Sequence, residues 1–97
     1  MDERVSALAA VLHDAGETHH IVFKIVDGQD PDWASWYADW LIHHSTLPAL
    51  LGAKPVRSEL TYLLVRSDKE FTTGKMAGRW EDYYANALIE ALAVPPA

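Results

Sequence analysis

A chain of 97 residues, 49% of them apolar, has enough for one modest hydrophobic core and too little for two, so a single domain spanning 1–97 is expected. The absence of cysteine excludes disulfides, thiolate zinc sites and cysteine nucleophiles, and leaves imidazole and carboxylate as the strong metal ligands. A formal charge of -6 at pH 7 disfavours nucleic acid, whose phosphates are held by lysine and arginine.

The charge is uneven. Residues 1–52 carry eight acids against Arg4 and Lys24, whereas residues 53–97 balance six acids with Lys54, Arg57, Arg66, Lys69, Lys75 and Arg79. Those bases read more simply as a solvated mixed-charge surface than as a phosphate-binding patch. The opening "MDERVSALAAVLHD" sets acids ahead of its apolar residues, the reverse of a secretory leader. No apolar run approaches the roughly 20 residues of a membrane span. The expectation is a cytoplasmic protein with no membrane contact.

Apolar periodicity predicts an all-α four-helix bundle, with helices at about 3–26, 31–44, 55–71 and 78–93. The first helix aligns Val5, Leu8, Leu12, Ala15, His19, Val22, Phe23 and Val26 in one stripe. His19 falls at its centre and is expected to be buried, hydrogen-bonded to another helix. Gly16 costs up to about 1 kcal/mol of helix stability relative to alanine, which makes its surroundings the place where this helix would kink or break if it did so. "HIVFKIV" (20–26) is the one stretch with strand-like alternation, and it is read as helix.

His13, Glu17, His20 and Lys24 share the opposite face. Glu17 and His20 have the E-x-x-H spacing of carboxylate-bridged di-metal bundles, which gather two such pairs and further glutamates inside the bundle. Here one pair stands alone on a polar face beside Lys24, and His13 and His20 are separated by about 10.5 Å along the axis. A solvated face is therefore favoured over a metal site at His13, Glu17 and His20, and no cofactor is expected.

"DGQDPD" (27–32) is a turn, with Asp30 capping a helix that starts at Pro31. The second helix aligns Trp33, Trp36, Tyr37, Trp40, Leu41 and His44, which sends His44 into the interior. Asp39 and His43 stand four apart beside this stripe. They form an acid–base pair if they face a cleft, and more simply an ion pair at a helix end that favours a cationic imidazole. "STLPALLG" (45–52) reads as a cap, a short helical turn and a glycine stop. The third helix offers Val56, Leu60, Leu63, Leu64, Ser67 and Phe71. "TTGKMAG" (72–78) breaks it from the fourth, which offers Trp80, Tyr83, Tyr84, Ala87, Leu88, Ala91 and Leu92.

"WASWYADWLI" (33–42) and "WEDYYANALI" (80–89) align without gaps. Two related helical hairpins would produce this match, and so would equal packing demands; the first and third helices show no comparable match.

Four tryptophans, four tyrosines and two phenylalanines are many rings for a core of this size, since each buries about 150–250 Å². The surplus rings are expected to lie partly exposed or at an interface, and a monomeric bundle whose rings span core and boundary is one way to place them. The leading expectation is thus a non-enzymatic association or regulatory module, a homo-oligomer or the binder of a protein partner, joined through an aromatic-rich face. The alternative is a small-ligand or metal-binding bundle, in that case an enzyme, using a pocket of His19, Trp36, Asp39, Trp40, His44, Tyr83 and Tyr84. No nucleotide-binding, protease or hydrolase motif is present.

Overall fold

The computed structural model describes residues 3–26, 32–74 and 77–94, except the side chains of 23–26. It is an all-α bundle of five helices: α1 (Glu3–Val26), α2 (Trp33–His44), α3 (Leu47–Leu51), α4 (Arg57–Thr73) and α5 (Trp80–Leu92). Four of them match the helices expected from periodicity, and α3 is the short turn within "STLPALLG". The segment 20–26 is helical. The Asp30 cap and Pro31 start lie outside the described residues, and Asp32 stands at the N-cap of α2.

Local chemistry sets the boundaries. Ser45 accepts the Leu47 N–H at 3.1 Å and donates to the Leu41 carbonyl at 2.6 Å, so one hydroxyl closes α2 and opens α3. Gly52 ends α3 at φ 80°, a left-handed conformation that favours glycine. The α5 helix begins at Trp80 rather than 78, because Gly78 sits at φ 92° and Arg79 is extended. At its far end the Val94 N–H donates to the Leu51 carbonyl at 2.8 Å and ties the chain's end to α3.

In the core, α1 packs chiefly on α5 and α2 on α4, with α4 against α5 and α1 against α2 completing a ring of four. Leu8, Leu12, Leu41, Leu47, Leu51, Leu60, Leu64 and Leu88 are the large side chains sealed at its centre. The two hairpins repeat one another in burial. Ala38 and Ala85, Leu41 and Leu88, and Ile42 and Ile89 match at 0%, 0% and 8% exposure in both members. A second register, with few sequence identities, relates α1 to α4: Leu8 to Leu60, Leu12 to Leu64 and Ala15 to Ser67, all fully buried. His19 and Phe71 continue that register. His19 lies 5.0 and 5.1 Å from the rings of Trp36 and Tyr37, and Phe71 lies 5.6 and 6.4 Å from those of Tyr83 and Tyr84.

Several expected faces are rotated. Ala34, Ala38, Leu41 and Ile42 form the buried seam of α2, and Glu81, Tyr84, Ala85, Leu88 and Ile89 that of α5. Alanine permits close helix approach, whereas a tryptophan is too large to fit there and flanks the seam half-buried. The rotation turns His44 out to solvent, correcting its expected interior place, and leaves Ala91 exposed. His19 is half-buried rather than central to the core. Val22, expected in the stripe, is 41% exposed, because Trp80 at the start of α5 meets α1 at Gly16 and the later turns of α1 run past the end of α5. Phe23 and Val26 belong to the side chains outside the described residues. Val56, expected in the core, is the exposed N-cap of α4.

Gly16 does not break α1, which is continuous through it. Its lack of a side chain lets two rings approach: a Cβ there would lie 3.4 Å from Cζ2 of Trp80 and 3.5 Å from the Tyr37 hydroxyl oxygen.

Ser67 is fully buried, and its Oγ has no hydrogen-bond partner among the described residues. A buried unsatisfied hydroxyl costs roughly 1–3 kcal/mol, and the equivalent position in α1 is Ala15. Ser67→Ala is therefore expected to raise the unfolding free energy by about 1 kcal/mol in urea titration; a loss above about 0.5 kcal/mol would show that the hydroxyl has a stabilising partner.

Candidate functional site

The rings converge at one end of the bundle. The first turns of α2 and α5 bring Trp33, Tyr37, Trp80 and Tyr84 together, and the last turns of α4 add Asp68, Phe71 and Thr72 around a cavity of ≈ 390 Å³. That volume is within the range of small-ligand sites, about 300–1,000 Å³. Five rings form its wall in an unbroken series of edge-to-face contacts. Trp33 meets Tyr37 at 5.6 Å and 87°, Tyr37 meets Trp80 at 6.5 Å and 76°, Trp80 meets Tyr84 at 5.0 Å and 71°, and Tyr84 meets Phe71 at 6.4 Å and 81°. This is the favoured geometry of ring quadrupoles, and each right-angled turn presents a ring face in a new direction.

Among the described residues one full charge stands in this wall. The Tyr84 hydroxyl donates to Oδ1 of Asp68 at 2.7 Å. Burial pushes the Tyr84 phenol far above its usual range, and the Asp68 hydrogen bond and charge push it further, so it stays a donor. Tyr37 is raised as well, by burial and then by the charge of Glu81. Here the hairpin repeat breaks: Asp68 corresponds to Gly16, so Tyr84 faces a carboxylate where Tyr37 faces a bare helix backbone.

A second polar cluster joins α1 to α5. His13 Nδ1 donates to Oε2 of Glu81 at 3.1 Å, since an ionised carboxylate can only accept. Its Nε2 lies 3.5 Å from Glu17, and Arg79 lies 3.6 Å from Glu81. Glu81 is 7% exposed. Burial pushes its carboxyl up, but the hydrogen bonds from backbone and His13, with the charges of Arg79 and His13, bring it below the usual carboxylate range. The folded state therefore binds this proton more weakly than the unfolded chain. The resulting stabilisation is complete above the ordinary carboxylate pKa and is lost as pH falls through the depressed one. In urea titrations from about pH 5 down to 3, Glu81→Gln should show a shallower loss of stability than the parent chain; parallel profiles would remove the pair from the acid response.

The structure distributes the residues singled out from sequence. Tyr84 lines the aromatic cavity. His19 stacks behind Tyr37 and Trp36. Tyr83 faces Glu70, 3.4 Å away, in a neighbouring polar hollow with Arg66 and Glu90. Trp40 is half-buried against the core. Asp39 and His43 are the expected pair at the end of α2, Oδ1 to Nδ1 3.2 Å, both about half exposed. His44 and His20 face solvent. His13 and Glu17 are adjacent, yet among the described residues no three imidazole or carboxylate groups gather in a metal-binding arrangement. Trp33, Tyr37, Asp68, Phe71, Thr72 and Trp80 are pocket residues missed in the sequence. The match of Trp33 with Trp80 was the one signal pointing to them.

The fold and site define a small helical bundle with an aromatic pocket at one end. Comparison with protein-family models, curated proteins and solved structures found no match. Among the described residues no helix is long and apolar enough to cross a membrane.

Proposed function

We propose that this chain is a small-molecule-binding module whose ligand enters the cavity between the starts of α2 and α5 and the end of α4. The observation that carries this reading is the series of five edge-to-face rings lining one open cavity, with Asp68 the one carboxylate among its described lining residues. Those rings are contributed by three helices and are thereby held in place by the core beneath them. No catalytic role is assigned: the wall offers a carboxylate already held by a phenol, and no nucleophile with an adjacent base. The hollow beside Tyr83 has similar size, ≈ 450 Å³, but is lined by Arg66, Glu70 and Glu90 and lacks an apolar wall.

A panel of single-ring amines, phenols and carboxylic acids, screened by ligand-observed NMR, tests the reading. Some members should bind at millimolar or lower concentration, and Trp33→Ala or Trp80→Ala should weaken them at least about tenfold, the loss of one aromatic wall. A panel with no binder, or binders indifferent to both substitutions, would contradict it.

Self-association is the second reading. Trp36 and Trp40 are half-buried outside the pocket, and Ile21, at 63% exposure, stands on the part of α1 that runs past α5. On this reading the chain is a dimer at micromolar concentration that Trp36→Ala weakens; a monomeric mass at that concentration would dismiss it.

A further inference from the structure

We infer that the aromatic cavity selects an alkylated ammonium ion, held by the faces of its rings and by the Asp68 carboxylate; this rests on the cavity being the ligand site. The sign of the ligand's charge follows from the wall. Among the described residues Asp68 is the only charged one lining the cavity, and no described lysine or arginine does so. The helix ends nearby carry partial charges, positive at the starts of α2 and α5 and negative at the end of α4. These partly offset one another, and the full charge of Asp68 outweighs what remains. Ring faces are themselves electronegative and attract cations within about 6 Å of their centroids.

The degree of alkylation follows from the shortage of acceptors. A primary ammonium carries three N–H donors that need protein or water oxygens, and a ring face supplies none of these. Among the described lining residues the side-chain acceptors besides phenol oxygens are Asp68 and the hydroxyl of Thr72, and Asp68 already accepts from Tyr84. A quaternary nitrogen has no N–H to satisfy. Its methyl groups spread the charge over an apolar surface that suits Trp33, Trp80 and Tyr37. An ionised carboxylate has about four acceptor positions, and the phenol occupies one, so the charge of Asp68 remains available to the ligand.

Choline and its uncharged isostere 3,3-dimethylbutan-1-ol, titrated by tryptophan fluorescence, separate charge from shape. The inference expects choline to bind at least about tenfold more tightly than the isostere. Asp68→Asn, which keeps an oxygen to accept from Tyr84, should remove most of that preference by weakening choline much more than the isostere. Equal binding of the two probes would overturn the cation preference, and a choline affinity indifferent to Asp68→Asn would overturn the part given to Asp68, the pocket standing in both cases. If neither probe binds but neutral single-ring compounds do, the cation is again rejected and the pocket stands; if nothing binds, both fall.

Discussion

Leu12→Ala and Leu64→Ala are each expected to lower the unfolding free energy by about 2–5 kcal/mol, measured by urea denaturation monitored in the far ultraviolet. Both leucines are fully buried, and they occupy equivalent places on α1 and α4, the two long helices of the repeat. Each substitution removes three carbons from the middle of a continuous core and leaves a cavity that rigid neighbouring helices close only partly. Domains of this kind have a total stability of about 5–15 kcal/mol, so either change consumes a large part of it. Similar losses at the two sites would support equivalence of the hairpins. A loss below about 0.5 kcal/mol at either would show that its helix turns another face inward.

Gly16 gives the second large effect, and here the size of the new side chain decides its sign. Gly16→Ala places a Cβ at ordinary contact distance from Trp80 and Tyr37, 3.4 and 3.5 Å, and gains helix propensity. It is expected to be neutral or stabilising by up to about 1 kcal/mol. Gly16→Leu adds three more carbons where those rings stand. Overpacking of this sort costs about 1–3 kcal/mol, and because Trp80 and Tyr37 are walls of the cavity, ligand binding should fall with it. Urea titration and a binding isotherm on the same variants check both effects. A leucine accommodated with stability and binding intact would mean that the rings do not rest on α1.

The sequence carried much of the fold and less of the site, for identifiable reasons. The bounds of α1 were legible because its apolar spacing runs unbroken, and α3 because Ser45, Pro48 and Gly52 punctuate it. The faces of α2 and α5 were misjudged because tryptophan dominates any apolar count, whereas Ala34, Ala38 and Ala85 make the close approaches. The same error placed His44 inside. Val22 was assigned to the core because periodicity on one helix says nothing about where its partner ends. The relation of α1 to α4 went unseen since His19 and Phe71, or Ala15 and Ser67, share a location without sharing an identity. Asp68 and Glu81 drew no reading from the sequence, because their meaning depends on Tyr84 and on His13, 16 and 68 residues away. Pairing at that distance leaves no local pattern to read.

The indole N–H signals of the four tryptophans report on the central claim most directly, because they divide into two classes. Trp33 and Trp80 line the cavity, whereas Trp36 and Trp40 do not. In a two-dimensional nitrogen–proton NMR titration with choline, or with the tightest-binding ring compound, the largest shifts are predicted at Trp33 and Trp80, assigned by single substitutions. Shifts largest at Trp36 and Trp40, or no shifts at saturating ligand, would contradict a binding pocket at this end of the bundle.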